Sequence, residues 1–198
     1  MAKEIIIHID GKEIKTTEGT NLVKAASDHG IFIPSLCYYE HIDPPLGSCR
    51  VCTCEVDGVP GPACMETVRD GMNVTLNSED LVNTRKAIVE MMFAEGNHFC
   101  PGCEKSGACD LQHMGYEMDI SRSRFPHLFK DRITDFEPKR MVIEHNRCVK
   151  CQRCVREVVT SDGKSVFSFI NRGNETVVGV DYEQEARLSQ EQAIEAMN

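Results

Sequence analysis

No run in the 198-residue sequence approaches the roughly 20 apolar residues needed to span a bilayer, so no membrane segment is expected. The opening MAKEIIIHIDGK alternates charge and hydrophobicity, and so lacks both the basic n-region and the apolar h-region of a secretory signal. An excess of positive charge is also missing. The formal charge is -9, whereas nucleic-acid binding needs a concentrated basic face to neutralise phosphates. No Gly-x-Gly-x-x-Gly turn marks a dinucleotide site, and the chain has no internal repeat or low-complexity segment. What it has in quantity is cysteine, eleven in all. In a chain that is not exported these cannot form a disulfide framework, because the cytosol keeps thiols reduced and such patterns there signify metal. The expected compartment is the cytoplasm.

The apolar fraction is ordinary for a folded protein, and the length suits one large or two to three small domains with small cores. Glu4 to Ile9 is β-rich, Asp10-Gly11 is a hairpin signal, and Lys12 to Thr16 can return as a second strand. Thr20 is placed to cap a short helix that buries Leu22, Val23, Ala25 and Ala26 and ends at Gly30. A second hairpin follows at Thr53 to Ala63 around Asp57-Gly58, and Met72 to Leu76 supplies a closing strand. Strand, hairpin, strand and packed helix before a cysteine loop predict a β-grasp core. Ser78 caps a further helix with Glu79 and Asp80 in its first turn, Leu81, Val82, Arg85, Ile88, Val89, Met92 and Phe93 at helical period, and an end at Gly96. Beyond an irregular basic stretch containing Pro126 and Pro138, a strand is expected at Met141 to Glu144, then a helical turn. Two β-rich runs, Val166 to Ile170 and Thr176 to Val180, precede a terminal helix beginning near Ser189.

Ten of the cysteines fall into three sets. The first, Cys37-x11-Cys49-x2-Cys52-x11-Cys64, offers four thiolates on a β-grasp scaffold and implies a 2Fe-2S cluster, although the plant-type spacing has four residues where this chain has eleven. Gly47 and Ser48 stand where the backbone must come close to the sulfurs. Zinc accepts four cysteines too, but zinc ribbons usually show two close pairs and here only one pair is close. The second set, Cys100-x2-Cys103-x5-Cys109, leaves a four-iron cubane one ligand short, and His98 is the nearest residue able to supply it. His8, His29, His41, His113, His127 and His145 have no such context and read as structural. The third set, Cys148-x2-Cys151-x2-Cys154, is the first part of the bacterial 4Fe-4S run without its fourth cysteine. Cys54 is left over and reads as a small buried thiol. The basic residues Arg122, Arg124, Lys130, Arg132, Lys139 and Arg140 read as a solvated face or a docking surface for an acidic partner subunit.

The segments LCYYEHIDPPLGSCRVC, FAEGNHFCPGCEKSGACDLQ and NRCVKCQRC, in this order, resemble the HoxU-type iron-sulfur diaphorase subunit of NAD-reducing nickel-iron hydrogenases over essentially the whole chain. That subunit is similar in turn to the N-terminal part of the large iron-sulfur subunit of respiratory complex I and to the N-terminal region of iron-only hydrogenases. Complex I typically has three residues between the ligand histidine and the next cysteine, whereas this chain has one, Phe99. The resemblance implies that Cys37, Cys49, Cys52 and Cys64 hold a 2Fe-2S cluster, that His98, Cys100, Cys103 and Cys109 hold a 4Fe-4S cluster, and that Cys148, Cys151 and Cys154 give three ligands of a second 4Fe-4S cluster. The family's fourth ligand to that cluster normally sits in a Cys-Pro-x-Gly motif after the last helix. This chain stops about where the motif would begin, so completion by a continuation beyond Asn198 is the expectation.

The resemblance further implies an α+β protein in three parts: a β-grasp 2Fe-2S ferredoxin domain at 1–78, a small helical His/Cys cluster domain at 79–137 and a ferredoxin-like 4Fe-4S segment at 138–198. It implies electron transfer without a catalytic residue, since no extended flavin-binding region is recognisable and the paired cysteines that hold nickel in hydrogenase large subunits are missing. The implied partners are a flavin- and NAD-binding diaphorase subunit and the small and large nickel-iron hydrogenase subunits, with no nucleic acid and no membrane. Two alternatives stay open: the equivalent subunit of a complex I-like or NAD-dependent formate dehydrogenase assembly, and a zinc-stabilised interaction module.

Overall fold

The computed structural model describes residues 3–128 and 130–197, the side chains of 194–197 excepted. Contacts divide the chain into two compact units, Met1–Met91 with Glu104–Phe125, and Met92–Cys103 with Pro126–Asn198.

In the first unit, strict alternation buries Ile5, Ile7 and Ile9 on one face of β1 (Glu4–Ile9). Asp10 and Gly11 both take positive φ, 47° and 77°, the conformation a two-residue hairpin requires, and return the chain as β2 (Lys12–Thr17). The Asp10 carboxylate accepts the Leu76 N–H at 2.8 Å and so ties this turn to the end of the closing strand. Helix α1 (Leu22–Ser27) is shorter than the expected span to Gly30, and Asn21 caps it instead of Thr20. The reason is a double use of one amide: Asn21 Oδ1 accepts the Val23 N–H at 2.9 Å while Nδ2 donates to the Cys64 carbonyl at 2.7 Å, a reach a threonine lacks.

Strands β3 (Thr53–Val56) and β4 (Val59–Pro62) form the second hairpin, and β5 (Asn73–Thr75) inserts between β1 and β3. The sheet order is β2-β1-β5-β3-β4, with only β1 and β5 parallel, a β-grasp arrangement. Helix α2 (Glu79–Glu95) starts at Ser78, whose Oγ accepts the Leu81 N–H at 3.4 Å. Helix α3 (Asp110–Glu117), not anticipated from the sequence, buries Leu111 and Met114.

The second unit is built on an antiparallel ribbon, β6 (Phe167–Ile170) with β7 (Val177–Val180), and on short helices α4 (Arg153–Glu157), α5 (Tyr182–Glu185) and α6 (Gln190–Met197). Its core is Met141, Val158, Val166, Phe167, Val178 and Leu188. The strand expected at Met141 to Glu144 does not form; a single bridge joins Ile143 to Asp135. The neighbouring backbone is committed elsewhere, because the fully buried Glu185 accepts the N–H groups of Lys139 and Arg140 through its two oxygens, and Pro138 has no N–H to offer. The chain is thus α+β, and no helix among the described residues is long and apolar enough to cross a membrane.

Candidate iron-sulfur ligand sites

The first set converges in the first unit. Cys37 lies beyond α1, Cys49 and Cys52 on the loop before β3, and Cys64 in a 3-10 turn (Ala63–Met65) that the Asn21 amide holds in place. Cys37, Cys52 and Cys64 are fully buried and Cys49 nearly so. The thiols hydrogen-bond in a chain: Cys49 donates to Cys37, and Cys64 donates toward both Cys37 and Cys52. Cys37 is held well below the usual thiol range by Cys49 and Cys64, with the Cys49 N–H and the Ser48 hydroxyl adding to the effect, and Cys52 is held down by Cys64. Their donors move the other way, Cys49 pushed up by Cys37 and by burial, Cys64 by Cys37, Cys52 and burial. Four soft donors facing one another inside an apolar shell suit a thiolate-ligated cluster. Among the described residues no three His, Cys, Asp or Glu side chains close on one ion-sized point.

Gly47 also clears space for Met65: at its φ of +58° a Cβ would lie 2.8 Å from Met65 Cγ. Cys54 is on the buried face of β3, its thiol pushed up to about 12 by burial first and by Cys52 second. Arg85, which helical periodicity placed among apolar neighbours, is 6% exposed; it donates to the Thr53 carbonyl at 3.0 Å and its charge is favourably placed toward Cys54 and Cys52.

Of the second set, His98, Cys100 and Cys103 belong to the second unit and Cys109, at the N-cap of α3, to the first. Burial lowers the His98 pKa and so favours the neutral imidazole, the form that ligates metal. One ring nitrogen hydrogen-bonds the Met92 carbonyl, which fixes the ring and leaves the other nitrogen as a lone-pair donor, and the edge of Phe93 packs on it at 5.6 Å. Gly96 matters here, since a Cβ at that position would stand 2.4 Å from His98 Nε2 and 2.7 Å from the Asn146 carbonyl oxygen. Cys100 and Cys103 bracket a 3-10 turn in which the Cys103 N–H donates to the Cys100 carbonyl at 3.2 Å. Arg147 Nη1 reaches Cys103 Sγ at 3.5 Å.

The third set lies in the second unit, on a loop where Lys150 and Gln152 take left-handed φ of 55° and 69°. Two such kinks cost on the order of 1 kcal/mol each or more in a non-glycine residue and persist only where the surroundings enforce them. Cys148 and Cys154 pack against the apolar core, and the Lys150 N–H donates to Cys148 Sγ at 3.4 Å. Burial raises the Cys148 thiol and pushes that of Cys154 up to about 12, with Cys151 the next cause in line for Cys154.

The basic stretch read as solvated or partner-facing is in good part used within the chain. Arg124 pairs with the buried Glu90, Lys130 with Glu175, Arg132 donates to the Asn174 carbonyl at 3.0 Å, and Arg140 to the Leu188 carbonyl. Among the remaining histidines, His29 bonds the Ala25 carbonyl at 2.9 Å, and His41 and His113 pack on Tyr39 and Phe32.

A family described as the 2Fe-2S iron-sulfur cluster binding domain matches residues 2–79, and the iron-sulfur binding region of NADH-ubiquinone oxidoreductase G matches residues 85–124. The gamma subunit of the NAD-reducing hydrogenase HoxS of Cupriavidus necator is 45% identical over 98% of this chain and 82% of its own length. The alpha subunit of an NADPH-Fe(3+) oxidoreductase of Geobacter sulfurreducens is 34% identical over 88% of the chain, which spans only 21% of that protein. A solved NAD+-reducing NiFe-hydrogenase in its H2-reduced state contains a chain that superposes with a TM-score of 0.82 at 34% identity, over 89% of this chain and 75% of that one.

Proposed function

This chain belongs to the family of the HoxS gamma subunit of NAD-reducing hydrogenases, an electron-transferring iron-sulfur subunit, and from that premise we propose that it connects a nickel-iron hydrogenase module to a flavin-bearing module that reduces NAD. Bound clusters supply reversible one-electron transfer. The residues of this chain hold them, exclude water and set the charge around them. Cys37, Cys49, Cys52 and Cys64 hold the 2Fe-2S cluster; His98, Cys100, Cys103 and Cys109 hold a 4Fe-4S cluster; Cys148, Cys151 and Cys154 hold a second one, whose remaining ligand comes from outside these residues. The corresponding segments are 1–78, 79–137 and 138–198. The protein works in the cytoplasm as a non-catalytic subunit, with the flavin subunit and the small and large hydrogenase subunits as partners.

The observation that carries this reading is the chain of thiol contacts in the first set. A single zinc would draw four sulfurs to one centre about 2.3 Å from each. Here the contacts are strung out from Cys49 through Cys37 and Cys64 to Cys52, an extended arrangement that suits a cluster of two irons. Exposed Leu128, Ile133, Phe136 and Val142 in the second unit suit contact with a neighbouring subunit. The experiment is purification of the complex through a tag on this chain, followed by metal, sulfide and flavin analysis. We expect about ten irons per copy of this chain, acid-labile sulfide in proportion, and companion subunits carrying nickel and flavin. Stoichiometric zinc in place of iron, or companions with neither nickel nor flavin, would overturn the proposal.

A further inference from the structure

The contact between Arg147 and Cys103 sits in a rigid setting. Arg147 ends a 3-10 turn (His145–Arg147) whose first N–H groups are held by Glu144, which accepts the Asn146 N–H at 3.0 Å. Asn146 is 8% exposed and is bonded on every side. Its amide accepts the Arg132 N–H at 3.0 Å and donates to the Arg132 carbonyl at 2.8 Å, while its own carbonyl accepts the Asn97 N–H at 2.8 Å. The turn carrying Arg147 is therefore locked to the loop carrying His98, and all of these residues lie in one compact unit. The guanidinium Nη1 stands 3.5 Å from Cys103 Sγ, within reach for a hydrogen bond to sulfur, and its charge is also felt at His98.

We propose that Arg147 is a positioning residue that acts through Cys103: it donates a charge-assisted hydrogen bond to that sulfur and so raises the midpoint potential of the histidine-ligated cluster. This deepens the ligand assignment proposed above and rests on it. One-electron reduction of the site adds one negative charge, with no bond or proton transferred, and a fixed cation bonded to a ligand sulfur favours the more negative state. Hydrogen bonds to charged partners are roughly twice as strong as neutral ones. Losing one should change the ratio of reduced to oxidised site about tenfold at a fixed poise, or about 59 mV for a one-electron couple. Arginine suits this role better than lysine because its planar fork holds direction.

The test is a dithionite titration of the purified complex, followed by electron paramagnetic resonance, for the wild type, Arg147→Met and Arg147→Lys. Arg147→Met should lower the potential of the histidine-ligated cluster by about that amount and leave the 2Fe-2S potential in place, and Arg147→Lys should recover part of the loss. A wild-type complex without a histidine-ligated 4Fe-4S signal would refute the ligand assignment itself. A wild-type signal whose potential is unmoved in Arg147→Met refutes the role of Arg147 alone. If the cluster is lost in both variants, Arg147 is a structural residue and the proposal fails.

Discussion

Gly96 has no special backbone angle, so substituting it tests packing and nothing else. In Gly96→Ala the new methyl group would stand 2.4 Å from His98 Nε2, 3.0 Å from His98 Cδ2 and 2.7 Å from the Asn146 carbonyl oxygen. Ordinary contact begins near 3.4 Å, so something must retreat by about 0.7 to 1 Å. The carbonyl side cannot yield easily, because that oxygen accepts the Asn97 N–H at 2.8 Å and the Asn146 amide is bonded twice to Arg132. The imidazole must move instead, against Phe93 and its hydrogen bond to Met92. Overpacking of this kind costs about 1 to 3 kcal/mol. Metal sites tolerate ligand errors of only about 0.2 Å, so a retreat near 1 Å takes the ring nitrogen out of bonding range. Alanine favours helix over glycine by about 1 kcal/mol, and α2 ends at the preceding residue, so global stability should change little. The expected result is loss or strong alteration of the histidine-ligated 4Fe-4S resonance with the 2Fe-2S resonance intact, read by electron paramagnetic resonance on the reduced complex. Unchanged g-values and midpoint potential would show that His98 is not held against Gly96 as a ligand.

Cys49→Ser should abolish the 2Fe-2S resonance and spare the histidine-ligated cluster, because it removes one of four mutually bonded thiols from a site confined to the first unit; a surviving 2Fe-2S signal would end that ligand assignment. His98→Cys should still assemble a cubane but with a lower midpoint potential, since a thiolate adds the negative charge that a neutral imidazole lacks. A redox titration matching the wild type would remove His98 from the ligand set. Asn146→Ala deletes two hydrogen bonds to the Arg132 backbone, each worth about 1 kcal/mol net, and should lower resistance to urea by about 2 kcal/mol. A change below about 0.5 kcal/mol would mean that water replaces the amide without loss.

Much of the architecture is written locally. Alternation of isoleucines fixes the buried face of β1, and Asp-Gly pairs at 10–11 and 57–58 set both hairpins because short polar and glycine residues tolerate positive φ. Serine before two acidic residues starts α2 where expected. Thiolate spacing, too, is a local signal, since a ligand loop must return its sulfurs within a few residues, and all three cysteine groups and His98 stand out on that ground. Elements without such a signature escaped. A strand was expected at Met141 to Glu144 from β-favouring residues, yet Glu185, more than forty residues away, takes the nearby N–H groups.

The sequence by itself determined which atoms are available to iron and the order in which the chain presents them, because side-chain chemistry and short-range spacing are properties of the covalent chain. Tertiary structure alone decided which charges and carbonyls surround those atoms. Asn146 and Arg147 look like surface residues in the sequence, Arg85 like an interruption of an apolar helix face, and Arg124 and Lys130 like parts of a free basic face. Their roles come from partners at Thr53, Arg132, Cys103, Glu90 and Glu175, from fourteen to forty-five residues distant. Burial and directional hydrogen bonds between remote segments exist only once the chain has folded, and no local pattern encodes them.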